Sequence, residues 1–186
     1  MPILPIETGR YGTKEMKEIF EEESRFQRML DIEAALAWAH AEVGNIPRKD
    51  AEMIMKMAST RYVQLDRVKA IEREIVHDIA SIVRALAEQT GSSGAYVHLG
   101  ATSYDIVDTA NALMLKDAVK LIAQKLTSLE QVLMKKAHNF KKVIMIGRTH
   151  GQHALPTTLG FKFAVWMREN ARNIQRLKQC SDRLLV

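Results

Sequence analysis

Apolar side chains recur every third or fourth residue along almost the whole chain. That is the period of one face of an α-helix, not the alternation of a strand. Thr13 is placed to cap a short acidic helix. Ser24 opens a second helix, with Met29, Ile32, Leu36, Ala39 and Val43 as its apolar stripe. Gly44-Asn45 closes it, and Pro47 forbids immediate continuation. A short helix over 48–58 carries Met53, Ile54 and Met57. The next is predicted over 66–89, with Val68, Ile71, Ile75, Ile79, Ile82 and Leu86 inward. Gly91-Ser92-Ser93-Gly94 reads as a loop.

From Thr102 to Ala137 there is no glycine or proline, and Val107, Ala110, Met114, Ala118, Leu121, Leu129 and Leu133 keep helical spacing. A helix over these residues is roughly 54 Å long at 1.5 Å per residue, so it needs partners of comparable length, as in a bundle. One further helical stretch follows Thr157, and its pattern is unbroken at Val186. The expected fold class is all-α. A small N-terminal helical domain, 1–101, precedes the first long helices of a truncated helical bundle, 102–186. The chain is therefore expected to be the N-terminal portion of something larger.

Four polar clusters interrupt this pattern. Residues 147–158, Gly-Arg-Thr-His-Gly-Gln-His-Ala-Leu-Pro-Thr-Thr, crowd two histidines, an arginine and hydroxyls into an irregular segment between helices. An imidazole such as His150 exchanges a proton near neutrality, which suits general acid–base work beside an anion. Metal ligation fits less well, since a ligand set needs three or four donors and no Cys or Glu is nearby in sequence. Arg10-Tyr11-Gly12 joins a guanidinium fork and a phenol, a combination suited to a phosphate; an arm pinned by surface contacts is the plainer reading. His77-Asp78 lies with Arg73, Ser81 and Arg84 on the expected polar face of helix 66–89. There His77 is either solvated or lines a cleft. Thr102-Ser103-Tyr104-Asp105 opens the longest helix, where hydroxyls and free N–H groups serve as a capping box or bind a carboxylate.

Composition narrows the class. The 186 residues are 47% apolar and 26% charged, with nine glycines and four prolines, so disorder is not expected. No apolar run approaches the ~20 residues that cross a bilayer, so no membrane partner is expected. The single cysteine, Cys180, forms no internal disulfide, and the cytoplasm is the expected location. The net charge of +5 is uneven: residues 135–186 hold 11 Lys/Arg against 2 acids, which leaves 1–134 net negative. The arginines there (Arg168, Arg172, Arg176, Arg183) are scattered without interleaved aromatic residues. That favours a solvated or interface-facing helix over a nucleic-acid groove.

In order and spacing, Arg10-Tyr11, His77-Asp78, His98-Leu-Gly-Ala-Thr102-Ser103-Tyr-Asp105 and Gly147-Arg-Thr-His150-Gly-Gln-His resemble the adenylosuccinate lyase family of the aspartase/fumarase superfamily. The resemblance runs the whole chain. It implies β-elimination of fumarate from adenylosuccinate, giving AMP, and likewise from the succinyl-carboxamide ribotide of purine biosynthesis. By the same resemblance His150 is the general acid on the leaving nitrogen and His77 the second active-site histidine, beside Asp78. Thr102 and Ser103 would hold the succinyl carboxylates, and Arg10 and Tyr11 the nucleotide phosphate. No cofactor or metal is implied. The partners are a nucleotide substrate and, in the full-length form, copies of the same chain in a tetramer whose active sites each draw on three subunits.

Two positions depart from that pattern. Val76 stands where many members carry an arginine, and the family's serine base lies on a Gly/Ser-rich loop further along than residue 186. The 186 residues alone are expected to have negligible lyase activity. Two other readings stay open: a different fumarate-releasing lyase of the superfamily, and a non-catalytic helical interaction module.

Overall fold

The computed structural model describes residues 9–184, and over them the expected helical class holds, with one small sheet. Seven helices appear in the order α1 (Lys14–Phe20), α2 (Glu22–Glu42), α3 (Arg48–Met57), α4 (Leu65–Ile75), α5 (Asp78–Thr90), α6 (Ser103–Asn139) and α7 (Leu159–Ser181). Strands β1 (Ile144–Thr149) and β2 (Gln152–Thr158) lie between the last two. Two compact units divide between Leu115 and Lys116, part-way along α6. Among the described residues no helix is long and apolar enough to cross a membrane.

The first unit is built around α2. Its first turn carries Glu22 and Glu23, which complement the helix dipole, and Gly44 (φ 78°) follows its end as the sequence predicts. The buried stripe differs from expectation. Phe26, Met29, Leu30, Glu33 and Ala37 face the core, while Val43 is 72% exposed. An alanine-rich helix offers several nearly equivalent stripes, so tertiary packing selects one, and the selected one includes a glutamate. Ala51 and Ile54 of α3 and Val68 and Ile71 of α4 complete the core with Ile79, Ile82, Ala85 and Leu86 of α5. Met53, one of the apolar residues on the 48–58 helix, is exposed.

Residues 66–89 are two helices instead of the expected one. Val76 adopts left-handed backbone (φ 54°) and ends α4, and His77 then caps α5 by accepting the Ala80 N–H at Nδ1, 3.2 Å. Ile75 is consequently exposed and Ser81 fully buried, the reverse of the single-helix expectation. No glycine or proline marks the break in sequence. The Gly91–Tyr96 segment, expected as a loop, winds into a 3₁₀ helix, and the Ser93 hydroxyl donates to the buried carboxylate of Asp50 at 2.7 Å.

The long helix is present, 37 residues from Ser103 to Asn139. In the second unit its later part meets α7, where buried Asn170 donates its amide to the Leu126 carbonyl at 2.9 Å. Phe140, Phe163 and Trp166 form an aromatic stack, with centroids 6.0 and 5.7 Å apart. Thr158 caps α7 through Phe161 N–H, and the turn before it is fixed by Gly160 N–H on the Phe140 carbonyl at 2.9 Å. Gly160 is required there, because a Cβ would lie 2.5 Å from both the Ala137 carbonyl oxygen and the Lys141 Cα.

Candidate active site

The segment read as irregular, 147–158, is in fact a β-hairpin. β1 and β2 pair antiparallel with a bulge between Ile146 and Arg148, and Thr149 faces Gln152 across a two-residue turn. The turn residues His150 and Gly151 both have positive φ, 53° and 70°. Two such residues in a two-residue loop are the turn whose twist matches paired strands. Glycine at the second place is expected; histidine at the first holds a conformation that costs most L-residues about 1–2 kcal/mol. The hairpin thus carries the His150 imidazole at its exposed tip, with Arg148 and His153 paired just behind it. Gly147 permits the close approach of the strands, since a Cβ there would sit 2.7 Å from the Leu155 carbonyl oxygen.

In the first unit one open cleft of about 370 Å³ is lined by His77, Ala80, Val83, Arg84, His98, Ala101, Thr102 and Ser103. Three residues singled out from two separate motifs, His77, Thr102 and Ser103, therefore share a wall. Thr102 sits at the N-terminus of α6. Its backbone N–H donates to the Asp105 carboxylate at 2.8 Å, one half of the predicted capping box. The Thr102 and Ser103 hydroxyls have no partner among the described residues, and both face a helix N-terminus, where an anion is favoured.

Asp78 does not join this cleft. Its Oδ1 accepts the Ile79 N–H at 2.8 Å, and it lines a smaller cavity of about 150 Å³ with Glu22, Arg25 and Lys69. Arg10 and Tyr11 are exposed on the arm before α1, and Tyr11 borders a separate hollow with Met16, Lys17 and Phe20. Val76, where the resemblance leads one to expect an arginine, is 87% exposed at the helix break.

His98 lies within one of the sequence motifs without a role there, and Glu33 lies in none of them. His98 has left-handed backbone (φ 62°), and its Nδ1 lies 2.6 Å from Oε1 of Glu33, a residue 1% exposed on α2. Burial pushes the Glu33 carboxyl above the ordinary glutamate range, and the hydrogen bond and charge of His98 pull it partly back. Its other oxygen, Oε2, is buried without a partner. The same helix pins the next residue, because His40 Nε2 donates to the Leu99 carbonyl at 2.8 Å while its Nδ1 accepts from Asn45. A polar residue within an apolar stripe was the available signal for Glu33; the apolar period alone discards it.

Comparison with known proteins bears on the family and the fold. Residues 9–186 match the model of a protein family described as lyase, and the chain belongs to that lyase family. It is 52% identical over 186 residues to the adenylosuccinate lyase of Pyrococcus abyssi (strain GE5 / Orsay), all of this chain and 41% of the relative. It is 50% identical over 187 residues to that of Methanocaldococcus jannaschii, again all of this chain and 40% of the relative. The chain thus spans about two fifths of the length of the curated relatives it matches. Among solved structures, a fumarate lyase from Mesorhizobium sp. BNC1 superposes with a TM-score of 0.87 at 37% identity, over 95% of this chain and 43% of that one. The 3-carboxy-cis,cis-muconate lactonizing enzyme from Pseudomonas putida follows at 0.86 and 35%, over 95% and 41%.

Proposed function

We propose that this chain supplies the N-terminal part of an adenylosuccinate lyase, which eliminates fumarate from adenylosuccinate to leave AMP and cleaves the succinyl-carboxamide ribotide likewise. The observation that carries the reading is the shared cleft. His77 and the Thr102-Ser103 helix start come from separate motifs of one family pattern and line one anion-favouring wall.

The chemistry asks for three things: removal of a weakly acidic C–H proton, stabilisation of the charge that spreads onto the adjacent carboxylate, and a proton for the leaving nitrogen. In this reading the α6 N-terminus and the Thr102 and Ser103 hydroxyls receive the succinyl carboxylates, stabilising charge where it develops. His150, carried at a hairpin tip, is the general acid. His77 binds and polarises the substrate from the α5 N-terminus. Arg10 and Tyr11 are the phosphate ligands and Asp78 an auxiliary hydrogen-bonding group. The base is contributed by a serine outside these 186 residues. The working assembly is a homotetramer in the cytoplasm, each site drawing on three chains, so the 186 residues alone turn over negligible substrate.

A fusion tests this directly. The chain replaces the aligned 186 residues of the Pyrococcus abyssi relative, and fumarate release from adenylosuccinate is followed by absorbance. The fusion is expected to be active and its His150→Gln variant to lose at least about 100-fold in kcat, the scale of a general acid. A folded, tetrameric fusion that leaves adenylosuccinate intact, or that releases fumarate only from another succinyl compound, overturns the assignment.

A further inference from the structure

The two imidazoles of the cleft are held from behind by groups of opposite hydrogen-bonding character. At His77 the partner of Nδ1 is the backbone N–H of Ala80, which can only donate. Nδ1 must therefore carry the lone pair, and the ring's proton sits on Nε2. The Asp78 carboxylate lies 3.5 Å from the same Nδ1, at the limit of a hydrogen bond, and the Ala80 N–H at 3.2 Å is the nearer partner. At His98 the partner of Nδ1 is a carboxylate oxygen of Glu33 at 2.6 Å, an acceptor when ionised. Nδ1 then carries the proton, and Nε2 keeps its lone pair. Nε2 of His98 has no partner and is not buried, and both rings line the cleft with Arg84, Thr102 and Ser103.

We propose that Glu33 and the Ala80 amide are positioning groups that fix these histidines in opposite tautomers, so that the cleft offers a donor at His77 Nε2 and an acceptor at His98 Nε2. The difference has a chemical consequence. His98 can take a second proton on Nε2 and keep its Glu33 contact, becoming a donor to a substrate oxygen. His77 can be protonated only at Nδ1, and that breaks the α5 cap. Glu33 is costly in its place, with Oε2 buried and unpartnered. A buried carboxylate with one partner contributes little to stability, and this role accounts for its presence. The His77 tautomer stands on geometry alone and the His98 tautomer on geometry with an ionised Glu33; their use on substrate rests on the lyase reading.

Nitrogen-15 imidazole spectra of the 186-residue chain decide the first part. The expected result is His77 protonated on Nε2 and His98 on Nδ1. In Glu33→Gln, His98 is expected to lose its fixed tautomer while His77 keeps its own. Glu33→Leu, which fills the apolar site without a polar atom, serves the same purpose should the amide variant fold poorly. Either histidine in the opposite tautomer overturns the proposal, as does a His98 spectrum unchanged in both variants. In the fusion described above, Glu33→Gln is expected to raise the KM for adenylosuccinate about fivefold or more, the worth of one oriented hydrogen bond, with kcat changed less. A variant that loses folded protein with unchanged KM shows Glu33 to be structural only. Absence of lyase activity in the parent fusion defeats the functional reading and leaves the spectra to judge the tautomers.

Discussion

Replacing Gly160 with alanine puts a methyl group where the structure has only backbone. The new Cβ would lie 2.5 Å from the Ala137 oxygen, 2.5 Å from Lys141 Cα and 2.6 Å from Lys141 N. None of these is the end of a flexible side chain, so relief requires the start of α7 to move away from the end of α6. Such overpacking costs about 1–3 kcal/mol, sometimes more. Against it stands the better helix propensity of alanine, at most about 1 kcal/mol and less in a first turn. The net expectation is a loss of about 0.5–2.5 kcal/mol, with the Gly160 N–H to Phe140 carbonyl bond lengthened or lost. For a chain of this size that lowers Tm by roughly 1–10 °C. Thermal unfolding by circular dichroism measures the shift, and amide hydrogen exchange locates it. Protection should fall across the hairpin and α7 and stay unchanged over α2 to α5, which belong to the other compact unit. A variant as stable as the parent, or one whose lost protection falls in α2 to α5, refutes the argument that backbone contact fixes this junction.

Two other outcomes follow from the structure. Val76 is a β-branched residue in left-handed backbone and 87% exposed, so Val76→Asn removes strain without removing a core contact; it should gain about 1 kcal/mol, read as a Tm about 2–4 °C higher. Glu88 receives a two-pronged hydrogen bond from Arg67 at 2.7 and 2.8 Å, which holds its carboxyl below the ordinary glutamate range. A lowered folded pKa means that the unfolded chain takes up the proton first as pH falls. The pair's contribution is therefore complete above about pH 4.3 and is lost on acidification below it. The pair is largely exposed and screened by solvent, so Glu88→Gln should bring the denaturant midpoint down slightly near neutrality, and the difference should shrink as the pH falls below that range.

The helices were legible because their period is set by burial on one side. The long span without glycine or proline gave α6 almost to the residue, and Gly44 and Pro47 gave the turn before α3. Three features were not legible, each for a different reason. The α4–α5 break is made by Val76 and His77, residues with no turn signal of their own, and is supported only by the packing of two helices. The hairpin was hidden because its turn places histidine where asparagine or glycine is usual, and because its strands are largely exposed and lack alternation. Glu33 was hidden because a stripe drawn through apolar residues steps over the one charged residue that belongs in it. Of the candidate site, the sequence placed His77, Thr102 and Ser103 in different elements, and only the fold puts them on one wall.

Among the described residues, the non-glycine positions with left-handed backbone are Val76, His98 and His150. Each is a candidate histidine or the neighbour of one. An engineer who scans this chain for conformational misfits and cures them with glycine or asparagine would be visiting the site proposed above. At Val76 the cure is harmless to the ring beside it, but at His98 and His150 it removes the imidazole itself. Selection for heat resistance alone would drift toward a sturdier molecule without the imidazoles assigned to the proposed site.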